Sequence, residues 1–441
     1  MNDTHPDIAE LRGWLMLPDR QTPNSADPFG FPSVRLTPGV VILNGDRIAE
    51  VIEDPQALRD DADRHRVICP AFTDTHLHLP QFSVIGAHGL ELLDWLERFV
   101  FPAESCWADT DFARAEARHV AQQLLRVGTV GVAAYATAHH DGTHAALDIF
   151  RDLNFRGVIG QVLMDRHAPP ALTRPYAQQL EQAHALQNAW PNSGGDIAAA
   201  VTPRFAIACT PELLEGAGKL AAEHQAFVQT HLAETRRECD FIAELFGGPS
   251  YVSVYKQAGL LTGRTLFGHG IHLDAPQDAD RAALRHADAI IAHCPTANDF
   301  LGAGAMPLAQ HRAAYLNLTL GSDVGAGYER SMVRVARNML LTAARLGPDI
   351  PNAAQAWWQI TAGNAHALQP TRPDETHGVL RPGARADVLV IEPDLPDHAW
   401  MPKQNRTPAE GRDPLAALLW AWDDRWLKRT IAAGQTRFTK N

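Results

Sequence analysis

Positive charge is in short supply. The 441 residues carry 39 Lys and Arg against 51 Asp and Glu, a formal net charge of −12. That balance argues against a nucleic-acid backbone or an anionic membrane surface as the main partner, and leaves a small neutral ligand open. Cysteine is scarce too. Cys69, Cys106, Cys209, Cys239 and Cys294 are scattered and form no C-x-x-C pair. An odd, dispersed set reads as reduced, buried thiols and not as a disulfide framework. No apolar stretch approaches the length of a membrane span. The opening Met1-Asn2-Asp3-Thr4-His5-Pro6 lacks the basic and apolar regions of an export signal, so the cytoplasm is the expected compartment. Internal repeats and low-complexity tracts are also missing.

What is present suits one large globular body with a smaller companion: 45% hydrophobic and 20% charged residues. Both ends read as β-structure. Val40-Val41-Ile42-Leu43 and Ile48-Ala49-Glu50-Val51-Ile52 flank Asn44-Gly45-Asp46, a hairpin signal. Val388-Leu389-Val390-Ile391 and a last strand near residues 430–433 answer them at the other end. Between them, eight apolar runs alternate with helical patterns, at residues 69–76, 130–135, 157–164, 198–205, 226–231, 264–269, 288–293 and 316–323. Eight strand-helix repeats predict a (β/α)₈ TIM-like barrel over residues 69–374. Residues 1–68 and 375–441 are expected to form a small β-sandwich domain together. Residues 80–109 carry Leu90, Leu92, Leu93, Trp95, Leu96 and Phe99 at helical spacing and are expected to cover a pocket. The polar stretch 401–412 reads as a surface loop.

Four short motifs sit at the ends of these runs. They are Thr75-His76-Leu77-His78, Thr230-His231-Leu232-Ala233-Glu234, Gly268-His269-Gly270 and Gly321-Ser322-Asp323. In a barrel the strand ends build the active site. His76 and His78, two apart on a strand, face the same side. With His231 and Asp323 they make a donor set suited to one divalent ion, Zn²⁺ or Fe²⁺, of the kind used in metal-assisted hydrolysis. Taken singly, His-x-His is a weak signal, His231 reads equally as a core histidine and Asp323 as a helix N-cap. Their shared strand-end placement is what joins them. Glu234, just past the strand, is placed to reach a substrate; its bland alternative is a solvated charge at a helix start, which Glu238 fits better. His269 is expected to hydrogen-bond the attacking oxygen. The fourth run, Ala198-Ala199-Ala200-Val201-Thr202-Pro203-Arg204-Phe205, has no lysine to bridge two metals, which favours a single ion.

These motifs resemble the amidohydrolase superfamily and, within it, the guanine deaminases. The likeness runs over nearly the whole chain. Asp74-Thr75-His76-Leu77-His78-Leu79-Pro80-Gln81 looks like the first-strand motif, Leu92-Leu93-Asp94-Trp95-Leu96 with Phe101-Pro102-Ala103-Glu104 like the covering segment, and Thr202-Pro203-Arg204-Phe205 like a substrate-binding turn. Met164-Asp165-Arg166, His293-Cys294-Pro295-Thr296, Asp323-Val324-Gly325-Ala326-Gly327 and Asp423-Asp424-Arg425 also match. The resemblance implies a small-molecule purine substrate. Arg204 would bind the guanine carbonyl, Gln81 the ring edge, and Phe205 would pack on the base. Asp323 would accept a proton from water, Glu234 would protonate the ring and His269 would stabilise the attacking oxygen. It further implies a homodimer. Departures include Ser322 for a common threonine and Asp299 in Ala297-Asn298-Asp299, an added charge expected near the pocket mouth. His139 stands where such enzymes keep a pocket histidine. Deamination of another heterocycle (isoguanine, 8-oxoguanine, a pterin, an s-triazine) and a non-catalytic scaffold remain the rival readings.

Overall fold

Strands of alternating and of continuous apolar residues need different surroundings, and this chain supplies both. The computed structural model describes residues 8–19, 32–193, 195–248, 250–273, 277–368, 376–397 and 413–440; the opening residues 1–7 and the stretch 401–412 lie outside them. The strands at the two chain ends are β1 (Ile8–Pro18), β2 (Val34–Asn44), β3 (Arg47–Glu53) and β4 (Val67–Pro70). The barrel strands are β5 (Phe72–His78), β6 (Thr129–Tyr135), β7 (Arg156–Leu163), β8 (Ile197–Pro203), β9 (Val228–Leu232), β10 (Thr265–His269), β11 (Ile290–His293) and β12 (Asn317–Leu320). The chain returns to the first group with β13 (Val388–Ile391), β14 (Leu427–Ala432) and β15 (Gln435–Thr439).

β5 to β12 pair in sequence order as one parallel sheet. Most of their residues are buried on both faces, as a parallel sheet covered by helices requires. This is the eight-stranded barrel expected from the alternation. Its seam, between β5 and β12, is closed by single contacts and not by a ladder. The Asn364 side chain donates to the Thr73 and Leu320 carbonyls at 2.7 and 2.8 Å and accepts from the Leu320 N–H at 2.9 Å. Higher up, the Asp323 N–H donates to the His76 carbonyl at 2.8 Å and the His78 N–H to the Val324 carbonyl at 2.9 Å.

The chain ends build one seven-stranded sheet in the order β15-β14-β13-β4-β1-β2-β3. Here the period of two decides which core each residue joins. Leu15 and Leu17 of β1, Ile68 of β4, Val388 and Val390 of β13 and Ile431 of β14 form a small separate core. Their neighbours Trp14, Met16, Val67, Cys69, Leu389 and Ile391 pack into the main core instead. The Asn44-Gly45-Asp46 signal is realised: β2 and β3 pair from Asn44 and Arg47 outward, with Gly45 at φ +60°. The apolar run 69–76 is divided, however. Cys69 belongs to β4, and at Ala71, whose N–H binds the Asp387 carbonyl at 3.0 Å, the chain crosses into the barrel. Apolar content cannot mark that crossing, because both sheets bury it. The cysteines form no disulfide; Cys69, Cys209 and Cys294 are buried, whereas Cys106 is exposed, against the expectation that all five are buried. Among the described residues no helix is long and apolar enough to cross a membrane.

A buried ion network joins the two bodies at the base of the barrel. Asp387 accepts from Arg156 Nε at 3.1 Å, from the Ala433 N–H at 2.9 Å and from Arg385. Arg156 also donates to Thr73 Oγ1 at 2.6 Å, and Arg385 to the Asn154 carbonyl at 2.8 Å. Burial acts to raise the Asp387 carboxyl, but the Arg385 and Arg156 guanidiniums outweigh it and hold it below the usual aspartate range. A carboxyl depressed on folding contributes its full stability above the ordinary value of about 3.9, and loses it as the pH falls through the folded-state value. Replacing Asp387 by Ala removes the carboxylate that buried Arg156 and Arg385 share, leaving Arg385 with the partly exposed Asp196 at 3.3 Å, so urea unfolding at pH 7 should show a loss of about 3–5 kcal/mol. The gap between variant and parent should narrow as the pH is lowered below 4 (roughly the unfolded aspartate value); a gap that stays constant with pH would remove Asp387 ionisation from the account.

Candidate metal centre and substrate pocket

His76 and His78 alternate with Leu77 on β5 and aim together into the barrel mouth. Room for His76 is made by two glycines. A Cβ on Gly268 would stand 2.5 Å from His76 Cε1, and one on Gly321 would stand 2.5 Å from His76 Cβ. The other site residues enter from strand ends where the backbone turns sharply. His269, Asp323 and Ala233, which precedes Glu234, have φ of 72°, 49° and 48°. Left-handed backbone costs about 1–2 kcal/mol at a non-glycine residue, and its clustering here marks the mouth as the place where the fold tolerates strain.

The ligand atoms of His76, His78, His231 and Asp323 all lie within 4.8 Å of one another. His78 Nε2 is 3.2 Å from His231 Nε2, and Asp323 Oδ1 is 3.4 Å from both His76 Nε2 and His78 Nε2. His231 Nδ1 lies 2.7 Å from the Arg204 carbonyl and carries the proton it donates there, so its Nε2 presents a lone pair to the centre. His76 Nε2 is buried and has no hydrogen-bond partner. Burial holds all three imidazoles well below the usual histidine range, so they are neutral donors. Burial also pushes the Asp323 carboxyl up to about 6, against the pull of His269 and Arg204. Convergent neutral nitrogens with one carboxylate, His76 Nε2 unpartnered among them, fit a single divalent cation. β8 offers no lysine beside them.

Two more groups stand over the centre. Glu234 Oε2 is 3.4 Å from His269 Nε2, and Asp323 Oδ2 is 3.8 Å from the same nitrogen. Burial, reinforced by Asp323 and Glu238, drives Glu234 well above the carboxylate range. That direction favours the protonated, donor form. Glu238 serves the helix start: it completes a capping box with Thr235, and its Oε2 accepts from the Glu234 N–H at 2.8 Å. His269 Nδ1 donates to Asn298 Oδ1 at 2.9 Å, which turns Nε2 toward Glu234 and Asp323.

A cavity lies against this cluster, lined by His78, Gln81, Leu92, Trp95, Leu96, Arg204, Phe205, His231, Glu234, His269, Asp323 and Ala326. The five residues given catalytic or substrate roles apart from the metal ligands, Gln81, Arg204, Phe205, Glu234 and His269, are thus within one region, and the apolar pattern of residues 80–109 forms its roof. Phe205 is buried with its ring 6.4 Å from that of His231. Arg204 donates through one guanidine nitrogen to Glu104 Oε1 at 2.6 Å, and its guanidinium lies 5.6 Å from the Phe101 ring centroid. Gln81 Nε2 donates to the same Glu104 oxygen at 3.4 Å. Gln81 Oε1 and Glu104 Oε2 are buried without partners, so two acceptors await a ligand with N–H groups, and Glu234 Oε1, also unpartnered, is free to meet a ligand atom that takes a proton.

Glu104 and Asn298 are the functional side chains that sequence reasoning passed over. Both stood inside quoted motifs, yet neither received a role, because what they hold arrives from distant strands. The one local signal was a glutamate in the otherwise apolar Phe101-Pro102-Ala103-Glu104. Asp74 was also passed over. Its Oδ1 accepts from the His76 and Ser322 N–H groups at 3.2 and 3.0 Å, and burial raises its carboxyl to about 7. Ser322 thus keeps the contact through its backbone. Two further residues stand outside the cavity lining. Asp299 is not among its lining residues; it is bound to Arg345 at 2.9 Å and Asn338 at 3.2 Å on a neighbouring helix. His139 lines a different, polar cavity with Arg174 and Glu181; the turn after β6 carries it outward.

Comparison with known proteins agrees with this geometry. The amidohydrolase family profile matches residues 67–437. The guanine deaminase of Escherichia coli (strain K12) is 31% identical over 389 residues, covering 88% of this chain and 86% of that one. The solved structure of E. coli guanine deaminase superposes with a TM-score of 0.85 at 27% identity, covering 98% and 99% of the two chains. A guanine deaminase from C. acetobutylicum, solved with guanine bound in its active site, shares the fold at TM-score 0.83 and 24% identity over 98% of this chain and 100% of that one. With a matched profile that spans barrel and flanking sheet alike, the chain belongs to the amidohydrolase family.

Proposed function

We propose that this protein hydrolyses guanine to xanthine and ammonia, assisted by one divalent cation held by His76, His78, His231 and Asp323. Zn²⁺ is the ion we assign, with Fe²⁺ as the alternative the same donors accept. The reading keeps a homodimer as the assembly and the cytoplasm as the compartment. The observation that carries it is one cavity lined by a recognition pair, Arg204 and Gln81, by Glu234 and by three of the clustered donors, His78, His231 and Asp323, with the His76 ligand atom within 4.8 Å of theirs. The 31% identity to a guanine deaminase over most of both chains supports it.

The cation supplies a water acidified to near neutrality; the chain's own residues do the rest. Arg204, a rigid donor fork held by Glu104, binds the purine carbonyl. Gln81 Oε1 and Glu104 Oε2, both unpartnered, accept ring and amino N–H groups. Phe205 and Trp95 line the walls and exclude water. Asp323 takes the proton of the attacking water. His269, aligned through Asn298, orients and stabilises the attacking oxygen. Glu234 protonates the ring nitrogen beside C2 as the oxygen adds to that carbon, and then helps pass a proton to the departing amine. One water is consumed, and ammonia leaves.

Metal exchange tests the whole reading. Protein stripped of metal under anaerobic conditions should lose guanine turnover, followed by ultraviolet absorbance, and regain it with one equivalent of Zn²⁺ or Fe²⁺. Full activity in verified metal-free protein would end the proposal. A side-by-side panel with isoguanine, 8-oxoguanine, a pterin and an s-triazine decides the heterocycle. Glu234→Gln should keep its metal and lose about 10²–10⁴-fold in kcat. Arg204→Lys should lose roughly tenfold to hundredfold in kcat/KM for guanine, the worth of a charge-assisted hydrogen bond, at unchanged metal content. Glu104→Gln should raise KM for guanine in the same direction while leaving bound metal intact; equal loss of metal in either variant would contradict a substrate-side role.

A further inference from the structure

Away from the barrel mouth, a second group of metal-type donors converges among the described residues. The ligand atoms of His184, Glu223 and His224 all lie within 4.8 Å of one another. His184 sits on the helix Tyr176–Ala189 that follows β7; Glu223 and His224 end the helix Pro211–His224 that follows β8. The two imidazole centroids are 4.9 Å apart at 74°, and His184 Nε2 is 3.9 Å from Glu223 Oε1. His224 Nε2 is buried without a hydrogen-bond partner. The side-chain amide of Asn188 lies 3.2 Å from His184 Nδ1. An amide turned to present its oxygen there would accept from Nδ1–H and free Nε2 for a cation.

We infer that His184, Glu223 and His224 form a second divalent-cation site, of Zn²⁺ type, that pins the C-terminal turn of one barrel helix to the C-terminal half of its neighbour. Two imidazoles and one carboxylate are a borderline donor set suited to Zn²⁺. The His184 and Glu223 side chains are 46% and 66% exposed, which leaves water free to complete the coordination. The location favours a cation independently of the ligands. Helix carbonyls at a C-terminus gather negative potential, and Glu223 and His224 lie in the last turn of Pro211–His224, with His184 one turn before the end of its own helix. It also sets the role. A barrel helix runs back from the C-terminal ends of the strands, so the end of Pro211–His224 lies on the face opposite the catalytic mouth, where contacts serve stability. The site acts on unfolding and not on turnover.

The test uses the holoprotein with its barrel metal in place, titrated with ZnCl₂ and read by metal analysis after gel filtration and by thermal unfolding. The native chain should take up a second equivalent, and its Tm should rise by about 2–4 °C at Zn²⁺ well above the dissociation constant. His184→Ala/His224→Ala should stop at one equivalent and show no Tm gain, with kcat unchanged. The proposal is overturned if the native chain stops at one equivalent, or if the variant still binds the second or still gains Tm. Because the readouts are stoichiometry and Tm, the outcome does not depend on which heterocycle the barrel site turns over.

Discussion

The structure turns on the enforced meeting of His78 Nε2 and His231 Nε2 at 3.2 Å in a buried pocket. His231 spends its only proton on the Arg204 carbonyl, and His76 adds a buried nitrogen with no partner. Lone pairs aimed at each other in low dielectric are unfavourable unless a cation or a proton lies between them. Burial keeps the imidazoles neutral; a proton on His78 Nε2 would serve His231 alone and leave His76 Nε2 without a partner, whereas one cation reconciles all three nitrogens with Asp323. The rest of the mouth serves that meeting: glycines at 268 and 321 clear space for His76, and left-handed backbone at His269 and Asp323 swings both side chains inward.

The same atoms close the barrel. The Asp323 N–H binds the His76 carbonyl and the His78 N–H binds the Val324 carbonyl across a seam that has no strand ladder. Ligand geometry and barrel closure are therefore one constraint, and Asp74, which accepts from both His76 and Ser322, ties them further. Arg204 plays a comparable double part. Its carbonyl fixes the His231 tautomer while its side chain, gripped by Glu104 and faced by Phe101, looks into the cavity. The covering segment thus holds, through Glu104, a residue whose backbone orients a metal ligand.

Much of this was legible in the sequence because it depends on short-range rules. Period-two alternation puts His76 and His78 on one face, and repeated strand-helix alternation brings strand ends to one mouth, so His231, His269 and Asp323 follow from position alone. What was not legible depends on who arrives from elsewhere. Glu104 matters because Arg204 and Gln81 come to it from other segments; Asn298 matters because His269 does. The division of the run at residues 69–76 is invisible to hydropathy, since Val67–Pro70 and Phe72–His78 are both buried. Asp299 and His139 stand outside the cavity lining because one turn of helix, or one strand-to-helix turn, carries a side chain from the mouth to the flank.

Anomalous X-ray scattering at the zinc edge from crystals of the zinc-loaded protein tests the central claim most directly. The account predicts one peak in the barrel mouth, about 2.0–2.2 Å from a nitrogen of each of His76, His78 and His231 and from an Asp323 oxygen. No peak there, two peaks there, or ligand side chains turned toward different regions would contradict it.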